Sequence, residues 1–251
     1  MKKLSIIISL IAILLVSCKS HRYRIISMSG TVVEMDSSFD ANPDKKMQAL
    51  VQKYKTELDN EMNEVIGTSA QFMNYTIPES LLTNFTSDVM KAYGDEQLQN
   101  GTDLAVMNVN GHRANMPEGK VTVGNLYEIY SFDNSITFLE LKGTDLNKIF
   151  DSCARMGGFG ISANVKLVIK DRKLQSVTVN GKPVDTNKIY SITTLDYLAD
   201  GNNGMDAFRN AVKTSNTGFT LRDLMIDYVR EQTRQGKKLT SKLDGRITVV
   251  K

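Results

Sequence analysis

Leu104-Ala105-Val106-Met107 sets four apolar side chains in an unbroken row, and a strand built from them must bury both of its faces. A chain holding such a strand has to supply cover on either side of a sheet. Asn108-Val109-Asn110-Gly111-His112-Arg113 follows at once. A solvent-facing arginine needs no glycine to position it. A ligand-facing one often does, because glycine can turn through positive φ and lets the backbone come close to what is bound. Gly111 and Arg113 are therefore the first candidate binding residues.

The rest of the chain divides by periodicity. Residues 23–35 alternate loosely and are rich in β-branched side chains, which predicts a strand. From Asp44 to Val65 the positions Met47, Leu50, Val51, Tyr54, Leu58, Met62 and Val65 recur at helical spacing, which predicts a long amphipathic helix. Pro78-Glu79 opens a second helix carrying Leu82, Phe85, Val89 and Tyr93. A short helix is expected near 124–129, a strand over 135–142, and a helix capped by Thr144 that runs to Met156. A β-rich region follows (NVKLVIK, QSVTV, KIYSITTL), with Asn180-Gly181 as a turn signal. Thr220 with Asp223 three residues on starts the last helix, and RITVV closes as a strand. These elements predict an α+β fold, a single domain over 25–251.

The first residues have a different character. Lys2 and Lys3 precede an apolar run from Leu4 to Val16, too short to span a bilayer and shaped like an export signal. Leu15-Val16-Ser17-Cys18 resembles a bacterial lipobox, which makes 1–17 a lipoprotein signal peptide and 18–24 a lipidated cysteine and tether. A plain signal peptide with an incidental cysteine is the alternative. Loss of Lys2 and Lys3 leaves 29 basic residues against 28 acidic ones, with no basic stripe of the kind nucleic acid requires. Only Cys153 then remains as a thiol, so no internal disulfide can form, and its helical spacing with Leu146, Ile149 and Phe150 puts it in the core.

Much catalytic chemistry is excluded. The two histidines are His21 and His112, too few for a zinc or two-metal hydrolytic site, and no metal ligands are assigned to this chain. His112 is expected at a loop edge. No GxSxG elbow or GxxxxGK[ST] loop occurs. The run Asp200–Asp206 places its glycines wrongly for an EF-hand and lacks the closing glutamate. Nothing singles out one pair of carboxylates as acid and base, so no catalytic residue is assigned.

The stretch 102–150 and the run KIYSITTLDYLADGNNGMDAF resemble the C-terminal domain of the 5′-nucleotidases. Shared positions include Asn108, Gly111, Arg113, Gly119, Val121-Thr122, Phe132, Asn134 and Leu141-Lys142-Gly143. The resemblance implies mixed sheets covered by helices in an α/β/β/α layering. It also implies the substrate-recognition half of a two-domain enzyme whose metallophosphatase half holds the metals. This sequence has no room for that half. The expectation is a free-standing recognition domain with no cofactor of its own, the divalent metals belonging to a separate metallophosphatase partner.

By the same resemblance Arg113 faces phosphate and ribose, Asn108 contacts the base, Phe159 and Tyr197 sandwich it, and Asn203 meets the ribose hydroxyls. Two departures stand out. Asn203 occupies the position of an aspartate, exchanging a charge-assisted bond for a neutral one at a cost of roughly 1 kcal/mol. No arginine stands near Thr76, where the family tends to have one. The alternative is an envelope lipoprotein with a decayed pocket and a scaffold role. Lys19 gives no acidic retention signal, so the expected location is the outer membrane, facing the periplasm.

Overall fold

The computed structural model describes residues 23–41 and 43–250, so the signal segment and Cys18 lie outside the described residues. Contacts divide the chain into two units, 1–51 and 52–251. In the first, residues 23–35 form no strand. Alternation alone does not make one, because strand backbone needs a hydrogen-bonding neighbour. A 3₁₀ turn follows at Ser37–Ala41. Helix α1, Lys45–Met62, forms as its periodicity predicts, yet none of its residues is buried. Among the described residues no helix is long and apolar enough to cross a membrane.

Among its described residues, unit 52–251 holds eleven strands in three sheets. β1 (Val65–Ser69) begins where the sequence pattern would continue α1, and it pairs with β3 (Gly119–Thr122). The central sheet uses β2 (Leu104–Met107), β4 (Ser135–Lys142), β5 (Gly160–Ile161), β9 (Ile189–Leu195) and β10 (Lys213–Thr220), in the order β10-β4-β9-β2-β5. β6 (Val165–Lys170), β7 (Lys173–Val179), β8 (Lys182–Pro183) and β11 (Ile247–Val250) form the third, in the order β11-β6-β7-β8. Asn180 and Gly181, both at positive φ (52° and 72°), make the two-residue turn that joins β7 to β8.

Helix α2 (Leu81–Gln97) packs on β2, β5 and β9, which accounts for the fully buried row Leu104–Met107. Helix α4 (Gly143–Met156) touches β4 and β9 of the central sheet and β6 and β7 of the third. The mixed sheets covered by helices are thus as expected. Thr144 does not cap α4: the helix starts at Gly143, with Lys142 as N-cap. Gly143 lies so close to the Asp185 carbonyl that no Cβ would fit, so the chain has already turned there. Between them, α3 (Val123–Ile129) is capped by Thr122, whose hydroxyl accepts the Asn125 N–H at 3.1 Å. Thr220 caps α5 (Leu221–Arg234), accepting the Asp223 N–H at 3.0 Å.

α4 ends in Gly157-Gly158, at φ +83° and +147°. A Cβ on Gly158 would stand 2.5 Å from Pro78 Cα, so two stretches of main chain touch directly. Gly158→Ala is expected to cost about 1–3 kcal/mol through this overpacking. A lowered denaturation midpoint in urea, with an unchanged m-value, is the check.

Candidate functional site

β2 and β9 run parallel (Ala105 opposite Thr193), while β4 is antiparallel to β9 (Ile136 opposite Leu195) and β5 to β2 (Met107 opposite Gly160). The ends of β2 and β9 and the starts of β4 and β5 therefore share one edge of the central sheet. Loops 108–113, 131–134, 157–159 and 196–206 all issue there, and they hold every predicted substrate-binding residue.

A cleft of about 490 Å³ opens at this edge, walled by Tyr75, Ile77, Val109, Met156, Phe159 and Asn203. Phe159 belongs to the core at 3 % exposed and presents what remains to the cleft. Asn203 lies in the left-handed region (φ 55°, ψ 34°), where asparagine and aspartate are tolerated best after glycine. Tyr197, 40 % exposed, donates its hydroxyl to Asn203 Oδ1 at 2.9 Å, and Asn202 Nδ2 donates to the Tyr197 carbonyl at 2.8 Å. Tyr197 does not itself line the cleft.

Arg113 also stands apart from the cleft lining. It is exposed, its guanidinium lies 5.8 Å from the centre of the half-exposed Phe132 ring, and it makes no hydrogen bond or ion pair through its side chain among the described residues. Its backbone N–H is held by the Ile129 carbonyl at 2.9 Å. Asn108 is buried below the loop, and its Oδ1 has no hydrogen-bond partner among the described residues. Gly111 is not at positive φ, as the sequence argument supposed. Proximity is what demands glycine, since a Cβ there would stand 2.9 Å from Asn108 Oδ1.

His112 corrects another expectation. It is 1 % exposed, not at a loop edge. Its Nδ1 is 3.0 Å from the Val109 carbonyl and its Nε2 2.9 Å from Thr86 Oγ1, which also lies 2.8 Å from the Tyr130 hydroxyl. Burial pushes the imidazole down to about 4, and it raises the Tyr130 phenol well above its ordinary value. The neutral ring thus donates from Nδ1 to Val109 and offers Nε2 to Thr86. The tilted Tyr75 ring, 5.9 Å between centroids, sits between His112 and the cleft. Cys153 is fully buried, and burial raises its thiol, in keeping with a core position.

Tyr75, Ile77 and Met156 had no signal in the sequence. They reach the cleft only because the 74–80 turn meets the end of α4. Among the described residues no group of three His, Cys, Asp or Glu side chains is arranged to hold a metal ion. A larger hollow of about 800 Å³ lies at the opposite sheet edge. Its lysines are matched by carboxylates (Lys91–Asp95 2.7 Å, Lys188–Asp103 2.6 Å, Lys213–Glu140 3.6 Å), which leaves it poorly suited to an anion.

Comparison with known proteins agrees with this architecture. The chain belongs to the family of the 5′-nucleotidase C-terminal domain, whose model matches residues 65–210. Over 137 residues it is 29 % identical to Protein UshA of Escherichia coli (strain K12), covering 53 % of this chain and 25 % of that protein. Over 256 residues it is 25 % identical to the 5′-nucleotidase of Diplobatis ommata, covering 90 % of this chain and 43 % of the relative. The crystal structure of the 5′-nucleotidase precursor from Thermus thermophilus superposes with a TM-score of 0.72 at 23 % identity, covering 84 % of this chain and 44 % of that one. That last likeness is one of fold. The chain spans between a quarter and a half of the length of these relatives.

Proposed function

We propose that this chain is the nucleotide- or nucleoside-recognition domain of a split 5′-nucleotidase, acting in nucleotide catabolism with a separately encoded metallophosphatase that supplies the metals and cleaves the ester. The observation that carries this reading is Asn203, set in a left-handed turn on the rim of an apolar cleft that Phe159 and Tyr75 wall, in a chain of this family. Apolar and aromatic walls suit a flat base, which desolvates at little cost. Arg113, with no carboxylate partner, is the cation offered to phosphate, and its planar guanidinium can donate paired hydrogen bonds. Phe132 and Tyr197 add half-exposed rings at the same sheet edge.

Isothermal titration calorimetry of the purified chain with AMP and adenosine tests the proposal. Both are expected to bind at micromolar scale. Arg113→Ala should weaken AMP by about 10- to 100-fold, the equivalent of a hydrogen bond to a charged group, and leave adenosine unchanged. Metal-dependent AMP hydrolysis by this chain alone would overturn the split arrangement.

A second reading, a scaffold lipoprotein with a decayed pocket, is favoured by one contact. The Tyr197 hydroxyl already donates to Asn203 Oδ1 and so takes one of the two acceptor sites a ribose hydroxyl would use. Melting temperatures unmoved by millimolar AMP, adenosine and guanosine would decide for it, since a bound ligand must stabilise by mass action. In either reading we place the chain at the bacterial outer membrane, facing the periplasm and anchored through lipid on Cys18. Cys18→Ser should release it into the soluble periplasmic fraction, and a wild type already found there would refute the anchor.

A further inference from the structure

α3 ends at Ile129, and the chain from Ser131 to Asn134 belongs to no helix or strand before β4 begins. Phe132 stands in the middle of that loop, half-exposed, with the Arg113 guanidinium 5.8 Å from its ring centre. A short irregular loop carrying an exposed ring is mobile unless something outside it takes hold. Here the first turn of α5 does so. The Leu221 N–H donates to the Asn134 carbonyl at 2.9 Å. Arg222 reaches further. Its Nη1 donates to the Tyr130 carbonyl at 3.1 Å, its Nη2 donates to the Asp133 carboxylate, and its guanidinium lies 4.3 Å from the centre of the Tyr127 ring. One side chain thus grips the loop on both sides of Phe132.

The plain alternative is that Arg222 only caps α3, since arginine beside the last carbonyls of a helix is common. A cap, however, needs only the carbonyl, whereas this guanidinium also extends past Phe132 to Asp133. The ion pair adds little to global stability, because the Asp133 side chain is 77 % exposed and water screens it. Arg222 Nε is buried with no hydrogen-bond partner among the described residues, which costs stability. What the residue gains is therefore local, the fixed shape of one loop.

The end of α3 also carries the arginine that faces the ligand in the proposed function. The Arg113 N–H is held by the Ile129 carbonyl, next to the carbonyl that Arg222 takes. Arg222 is mostly buried and has a carboxylate partner, while Arg113 is exposed and has none among the described residues.

We propose that Arg222 is a positioning residue for ligand binding. By locking loop 130–134 it sets where the Phe132 ring stands, and that ring, within cation–π range, orients the Arg113 guanidinium. Arg222 stands outside the cleft lining and acts through these two residues. The proposal rests on the reading of Arg113 as the cation offered to phosphate.

Two measurements test it, one of them without any ligand. The chain has no tryptophan, so Phe132→Trp places a single fluorophore on the loop. In that background Arg222→Gln and Asp133→Ala should each lower the fluorescence anisotropy and raise acrylamide quenching by about twofold, as a loop released on the nanosecond scale requires. Asp133 is exposed, so its variant keeps the test open should Arg222→Gln fail to fold. With Phe132 intact, calorimetry should find AMP weakened about 3- to 10-fold by Arg222→Gln, the range for ordering one more side chain on binding. In an Arg113→Ala background the same change should weaken AMP no further, because the two arginines act as one unit. Unmoved fluorescence, or an AMP loss that persists undiminished without Arg113, would overturn the positioning role. A wild type that binds no AMP would overturn the recognition reading instead, and the tryptophan signal alone would then decide whether Arg222 sets the loop.

Discussion

Arg246→Met is expected to lower the melting temperature by about 6–12 °C, the shift that roughly 3 kcal/mol produces in a domain of this size. Arg246 is 1 % exposed, and its guanidinium holds three parts of the fold at once. It donates to both Asp88 oxygens at 2.9 Å, to Asp244 Oδ1 and Oδ2 at 3.1 and 2.9 Å, and to the Ile161 carbonyl at 2.8 Å. Removal leaves the Asp88 carboxylate without its cation and Asp244 with Lys166 alone, 3.3 Å away. The lower end of the range for breaking a buried pair applies, because the Asp88 side chain is 42 % exposed and water will recover part of the loss. Arg246→Lys should recover little, since a single ammonium cannot serve two carboxylates and a carbonyl in that planar geometry.

Acid should act on the same cluster. Burial pushes the Asp244 carboxyl up, but hydrogen bonds and charge from Arg246 and Lys166 outweigh it and hold the group below the usual carboxylate value. A depressed carboxylate contributes stability that is present above its unfolded value and is lost as pH falls through the folded one. That loss belongs to strongly acid solution.

The second large effect falls in a milder range. His112 drops from 6.5 to about 4 on folding. Between those values the unfolded chain binds the extra proton, so stability must fall as pH falls from 6.5 towards 4. At about 1.4 kcal/mol per pH unit the total approaches 3 kcal/mol. Protonation would also reverse the link to Thr86, whose hydroxyl would then turn to the Leu82 carbonyl at 2.9 Å. Urea unfolding of wild type and His112→Gln at pH 7, 6, 5 and 4 measures this. The variant should start lower and lose about 3 kcal/mol less over the span. Parallel slopes would mean that the imidazole is not buried neutral.

The elements that were legible in the sequence are those whose signal is local. The Asn180-Gly181 turn, the Thr220 cap and the strands 135–142, 165–170 and 189–195 each form where pattern and turn chemistry agree. β10 was invisible for the opposite reason. Lys213–Thr220 is nearly all exposed, so it shows no apolar alternation, and only its pairing with β4 makes it a strand. Residues 23–35 show the reverse, a strand-like composition that forms no strand among the described residues.

The site divides in the same way. Family resemblance picks out Asn203, Phe159 and Arg113, and their loops do share one sheet edge. What it could not supply is which side chains wall the cleft. Tyr75 and Met156 lie about eighty residues apart in the chain and meet through packing alone. His112 was misjudged because the groups that hold it inside, Thr86 and Tyr130, sit on other elements.

The contact of Gly158 with Pro78 has a wider consequence. Tyr75 and Ile77 stand on one side of that junction and Phe159 on the other, so the spacing between the two banks of the cleft is gauged by peptide units rather than by side chains. Under the proposed function, substitutions along the banks would retune which heterocycle is preferred while the slot keeps its breadth. Selectivity in such a protein can drift over evolution without the scaffold having to be rebuilt.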